Sequence, residues 1–152
     1  DSLVPRRQEQ VLVLRDSTTV VRAPSVGALR KRLKLTTSPQ MWESLLQRSG
    51  IPKPTCSVLA DAGSITLLSD STRSRLLNQD LSARWERFYS AFPEAVGVTY
   101  VSDVGFSANG EEAVILLGHV CGNTCGRQYV VVLRRDPNSS WRIVETLLYA
   151  SA

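Results

Sequence analysis

The chain carries a single histidine and a single methionine in 152 residues. One histidine excludes every multi-histidine metal centre and the HExxH hydrolases. The glycine-rich phosphate loops, the GxSxG nucleophile elbow and the EF-hand loop are missing too. No apolar run approaches the roughly 20 residues that a membrane-spanning helix requires. No aromatic residue precedes Trp42, so the early chain lacks a platform on which bases could stack. With 43% hydrophobic and 21% charged residues, the composition is globular and neither collagen-like nor wholly disordered. A chain of this length reads as one domain over 1–152, burying about 70% of the surface its unfolded form exposes. Asp1 is no initiator methionine, and Leu3-Val4-Pro5-Arg6 matches a protease-tag site. Residues 1–8 are therefore expected to be disordered or tag-derived.

The net charge of +4 is unevenly spread. Eight basic and three acidic residues lie before Leu35, whereas the rest of the chain has ten basic and eleven acidic ones. The run Arg30, Lys31, Arg32 and Lys34 could bind an anionic surface or phosphates by releasing counterions. A solvated helix face or loop is the preferred reading, and the absent aromatics disfavour nucleic acid as partner.

Val11–Leu14 reads as a short strand, with Ser17–Pro24 extending it past a bend. Residues 23–37 read as basic loop, with one or two helical turns around Val26–Leu33. Ser38 or Thr37 can cap a helix that starts at Pro39 and carries Met41, Trp42, Leu45 and Leu46, until Gly50 and Pro52 stop it. Cys56–Ala60 and Ile65–Leu68 read as two strands around a turn at Asp61–Gly63. Ser69 or Asp70 can cap a short helix bearing Leu76 and Leu77. A further helix over 82–91 sets Trp85, Phe88, Tyr89 and Phe92 on one face, as core packing requires, and Pro93 ends it. Strands are expected at 97–106, 112–121, 127–134 and 141–149, with turns at Ala108–Gly110, Gly122–Thr124 and Asp136–Ser140. The result is an α+β domain: helices packed on a roughly four-stranded C-terminal antiparallel meander, with short N-terminal strands.

In the second meander strand both alternating sets are apolar: Val114, Leu116 and Val120 on one face, Ile115, Leu117 and His119 on the other. Helix 82–91 is expected over Val114, Leu116, Val131 and Leu133. The N-terminal strand and helix 39–48 are expected to cover the second face, in preference to a partner chain.

Only one constellation carries chemistry, the stretch from Gly118 to Gly126 with His119, Cys121 and Cys125. Hairpin closure over a three-residue turn would set the two cysteines opposite each other, within disulfide range. Three readings stay open. Cys121 and Cys125 form a structural disulfide, or a redox dithiol, or join His119 around a metal that still needs a fourth ligand such as Cys56. Cys56 alone is a buried thiol or an intermolecular partner. Asp103 could share a sheet surface with Glu111 or Glu112, although solvated hairpin charges account for all three.

Trp85, Phe88-Tyr89, Phe92-Pro93, Gly97, Ser102, Val104-Gly105-Phe106, Ala113-Val114-Ile115, Cys121-Gly122, Cys125-Gly126, Tyr129–Leu133 and Trp141 follow one another in this order. As an ordered set over about residues 84–150 they resemble a group of uncharacterised bacterial proteins that often stand behind a secretory leader. Gln128 falls where that group has a third glycine, and Thr124 replaces an apolar residue. The resemblance implies no activity and no catalytic residue, but it does imply a secreted or periplasmic location. The expected function is a non-catalytic extracytoplasmic binding or structural domain with a disulfide-pinned hairpin. A thiol-dependent redox or metal-binding protein, and an anionic-surface binder, are the alternatives. No cofactor is expected, and a homo-oligomer stays open.

Overall fold

The computed structural model describes residues 10–55 and 64–151. In chain order these form Val11–Arg15 (β1), Ala23–Arg32 (α1), Pro39–Arg48 (α2), Ile65–Leu68 (β2), Asp70–Leu77 (α3) and Arg84–Ala91 (α4). Ala95–Val101 (β3), Gly105–Phe106 (β4), Glu112–Gly122 (β5), Cys125–Arg135 (β6) and Trp141–Ser151 (β7) complete the set. The fold is α+β, and its sheet is larger than a four-stranded meander. Seven strands form one mixed sheet in the order β2-β1-β3-β5-β6-β7, and β4 also pairs with β5. β1 runs parallel to both β2 and β3, while β3, β5, β6 and β7 are antiparallel neighbours. Among the described residues no helix is long and apolar enough to cross a membrane. Cys56 and the strand expected at Cys56–Ala60 lie outside the described residues.

Local chemistry explains some of the helix boundaries, and burial the others. Ser69 caps α3 by accepting the Thr72 N–H at 3.2 Å, which leaves Asp70 in the first turn for ion pairing. At α2, Ser38 is the N-cap without a side-chain cap bond. Thr37 instead accepts the Trp42 indole N–H at 2.8 Å. α1 is a ten-residue helix where the composition suggested mostly loop. Burial of Val26, Leu29 and Leu33, three and four residues apart, overrides its basic and glycine-containing sequence. Arg87 of α4 donates to the carbonyls of Leu76, Gln79 and Asp80, closing the C-terminal end of α3.

Register decides which face each helix covers. Val13 pairs with Val98 and Val98 with Val120, so the even-numbered row of β5 continues the Val13 face of β1. Val114 pairs with Val132 and Leu116 with Val130, extending that face across β6. α1 and α2 bury Val114, Leu116, Val130 and Val132 beneath Leu29, Met41, Trp42 and Leu45. α3 and α4 bury Val13, Leu68, Ala95 and Val98 beneath Leu76 and Phe88, with Trp85, Tyr89 and Phe92 around them. Two expectations are thereby corrected. Helix α4 sits on β1 and β3, not on Val114, Leu116, Val131 and Leu133. Helix α2 occupies the very face assigned to α4, so it does not cover the second face. Ile115, Leu117, Tyr129, Val131 and Leu133 on that second face are only half buried.

The strand expected at 97–106 breaks at Ser102–Val104. The Ser102 hydroxyl accepts the Leu116 N–H at 2.9 Å and so patches the ladder where the backbone turns aside. After the break, Gly105 lies directly under α2: a side chain there would collide with the Met41 carbonyl and with Leu45. Phe106 N–H donates to Ser44 of the same helix at 3.1 Å, and Arg48 lies 5.4 Å over the Phe106 ring.

Trp42 is the largest fully buried side chain of the molecule. Trp42→Ala is expected to lower the unfolding free energy by about 3–5 kcal/mol, measured by urea titration at unchanged slope. A loss below about 1 kcal/mol would remove Trp42 from the core.

Candidate functional site

The hairpin tip between β5 and β6 holds the chemistry-bearing motif of the sequence, with His119, Cys121 and Cys125. Gly122 pairs with Cys125 and Val120 with Gly126, leaving Cys121 in a bulge. The turn is therefore Asn123-Thr124, two residues and not three, and the cysteines are not directly opposed. In a regular hairpin with that turn, residues 121 and 125 would project to opposite faces. The extra residue in β5 shifts the parity and lets them meet. Their Cα atoms are 5.1 Å apart and their sulfurs lie at disulfide distance.

His119 shares a shallow depression of about 500 Å³ with Cys121 and Cys125, on the half-buried face of the sheet. Both ring nitrogens are occupied. Nε2 donates to the Val96 carbonyl at 3.0 Å, and Nδ1 of the neutral ring then accepts the Thr99 hydroxyl at 3.1 Å. No lone pair is left over for a metal ion, and a sulfur–sulfur bond would consume both thiolates. Among the described residues no group of three His, Cys, Asp or Glu side chains is placed to hold a metal.

Helix α4 grips the tip. Tyr89 Oη donates to the Cys121 carbonyl at 2.8 Å, and Arg84 Nε donates to Asn123 Oδ1 at 2.9 Å. Burial raises the Tyr89 phenol above its ordinary value of 10.0, so it remains a donor at neutral pH.

The basic run does not act as a unit. Arg32 donates to the Tyr149 carbonyl at 3.0 Å and the Leu148 carbonyl at 3.2 Å, which ties α1 to β7. Glu145 accepts the N–H groups of Lys34 and Leu35 at 2.7 and 3.0 Å, so this stretch is clasped at its backbone. Arg30, Lys31 and the Lys34 side chain remain around an open groove of about 470 Å³ beside Thr36 and Thr37.

The carboxylates are not gathered into a pair. Glu112 binds Arg134 at 3.1 Å, and Glu111 accepts from Asn109. Asp103 holds Lys53 at 2.6 Å, Arg48 at 3.3 Å and the Val104 N–H at 2.7 Å, fastening the end of α2 beside the break between β3 and β4. Burial alone would raise the Asp103 pKa, but these donors outweigh it and hold the carboxyl below its ordinary 3.8.

The concavity that sequence reasoning missed lies between the two helix pairs. Tyr100 pairs with Gly118, and its ring occupies the space where any side chain at position 118 would stand. The ring forms a floor, and its hydroxyl accepts from Gln128 Nε2 at 2.9 Å. On the α3/α4 side Tyr100 meets a cavity of about 230 Å³ walled by Arg15, Arg73, Arg84, Trp85 and Val98. On the α1 side it meets a second, of about 410 Å³, that reuses Arg15 and adds Arg22 and Tyr149. Burial and then the neighbouring Tyr100 raise the Tyr149 phenol above 10.0. Asp70 receives Arg15 at 3.3 Å and Arg73 at 3.4 Å. Arg15 Nε and Trp85 Nε1 are buried without an acceptor, each at a cost of about 1–3 kcal/mol. The three arginines stand on β1, α3 and α4, far apart in the chain, and no linear motif joins them. No protein-family model, curated protein or solved structure matches this chain.

Asp103 yields a pH test. Its depressed folded value means that its contribution is complete above the unfolded value near 3.8 and is lost as pH falls through the lower folded value. Asp103→Asn is expected to lower Tm at neutral pH and to flatten the drop in Tm below pH 3.8. Parallel wild-type and variant curves across that range would contradict the assignment.

Proposed function

We propose that this chain is a non-catalytic extracytoplasmic domain that binds a ligand in the cleft above Tyr100, with a Cys121–Cys125 disulfide pinning the β5–β6 tip. The observation that carries the binding reading is the meeting of two cavities over one aromatic floor, Tyr100, on the face of the sheet that carries the helices. Its walls offer guanidinium groups, ring faces and amides, which recognise and hold a ligand. Support for the disulfide comes from the bulged register and the 5.1 Å Cα separation, which suit a bond without backbone movement. A cross-link that closes so short a loop adds less chain-entropy stabilisation than the roughly 3 kcal/mol of a 15-residue loop. Its effect is local: it holds Asn123 where Arg84, a cavity wall residue, can bind it. Such a bond persists in an oxidising compartment, which favours a secreted or periplasmic setting.

Mass spectrometry of the intact chain, alkylated with and without prior reduction, tests the pairing. Only after reduction should residues 121 and 125 take up the alkylating label; labelling of both in the unreduced chain would overturn the disulfide. A Cys121→Ser, Cys125→Ser double variant is expected to stay folded, with faster amide exchange at Gly122–Gly126 and unchanged exchange at Val114–Leu116. Global unfolding of that variant would give the cross-link a larger role than a local pin.

A further inference from the structure

We propose that the 230 Å³ cavity beside Tyr100 binds an organic oxyanion, a carboxylate or phosphate head carried on an apolar or aromatic body. The proposal rests on the cleft being the binding site and adds the chemistry of its occupant. Three arginines from three elements line the cavity, and no carboxylate lines it. Asp70 bridges Arg15 and Arg73, is itself more than half exposed, and leaves an excess of positive charge. Arg84 bonds only the neutral Asn123 amide, with no carboxylate within 4.0 Å among the described residues.

Like charges gathered beside apolar walls repel, and an entering anion relieves that repulsion. The groups are arginines, whose planar fork matches the two oxygens of a carboxylate or phosphate. Two further donors, Arg15 Nε and Trp85 Nε1, lie buried in the wall without acceptors, and an oxyanion can supply one after local side-chain movement. Apart from Asn78, the remaining surface is that of Leu77, Trp85, Val98, Tyr100 and Val120, which suits a ring or short hydrocarbon and not a bare inorganic ion. The cavity is smaller than the roughly 300–1,000 Å³ common for drug-sized ligands, so it takes a small molecule or one end of a longer one.

Titration calorimetry of the whole chain with five probes tests this. Benzoate and phenyl phosphate carry head and body, acetate and inorganic phosphate carry the head alone, and benzyl alcohol is a neutral body. At least one of the first two is expected to saturate, about tenfold or more tighter than its bare head ion, and which one it is separates carboxylate from phosphate ligands. Arg84→Gln should weaken that probe about tenfold, whereas Asn123→Ala, which breaks the same hydrogen bond but keeps the charge, should leave affinity within about threefold. Arg30→Gln, in the other basic groove, should change nothing. Equal binding of the aromatic ion by wild type and Arg84→Gln overturns the oxyanion assignment. Benzyl alcohol binding as tightly as benzoate, unaffected by Arg84→Gln, overturns the oxyanion but keeps the cleft. Failure of all five probes to saturate overturns both.

Discussion

The alternation of strand β5 governs the architecture. Its even-numbered residues make one continuous row, and everything helical in the described chain is buried along it or along its extension into β3 and β1. Val114 and Leu116 lie under α1 and α2, and Val120 stands beside Val98 at the edge of the α3/α4 region. Between them comes Gly118, which has no side chain. There the sheet cannot support a helix by packing, and the Tyr100 ring lies down in the gap. A cleft between two helix pairs is the direct consequence. The cleft is a discontinuity in the core, and it falls where Gly118 leaves room for the Tyr100 ring.

The parts of this arrangement that were legible in the sequence are local ones. Met41, Trp42, Leu45 and Leu46 after Ser38-Pro39 specify α2, and Asn109-Gly110 with its positive φ at Gly110 closes the β4–β5 turn. The alternation of β5 could be read as well, including the fact that both of its rows are apolar. Which row a given helix takes could not. That choice depends on β1 inserting parallel between β2 and β3, with Val13 meeting Val98 some eighty residues away. Once β1 and β3 adjoin, Phe88 finds an apolar floor there, and α2 inherits Val114 and Leu116. The cleft was hidden for the same reason: Arg15, Arg73 and Arg84 converge only through that long-range pairing. Several residues of the C-terminal ordered pattern turn out to have mechanical roles. Ser102 patches a ladder and Gly105 admits α2, while Phe106 receives Arg48.

The hairpin tip and the cleft are mechanically one unit. β5 and β6 extend beyond the region that α1 and α2 cover, and a free two-residue turn at their end would be expected to sway. Helix α4 restrains it through Tyr89 on the Cys121 carbonyl and Arg84 on Asn123. Both contacts need residues 121–125 in one fixed conformation, and the bulge that brings the two sulfurs together also sets it. Arg84 is at once a tip contact and a cavity wall, so order at the turn bears on the shape of the cleft.

The positive charge near the N-terminus follows a different logic. β7 is an eleven-residue edge strand with Trp141, Ile143 and Leu148 exposed, the kind of edge that invites pairing with another chain. Arg32 reaches two of its carbonyls, at Leu148 and Tyr149, and removes them from any such ladder. Glu145 returns the clasp by accepting Lys34 and Leu35 N–H groups. Bulges opposite Gln128–Tyr129 and Val132–Leu133 twist the same edge out of a flat register. Clustered basic residues that look like an anion site in the linear sequence are therefore divided by the fold. Arg32 guards a sheet edge, its neighbours face solvent, and the arginines best placed for an anion are those that the chain scattered and the sheet reassembled.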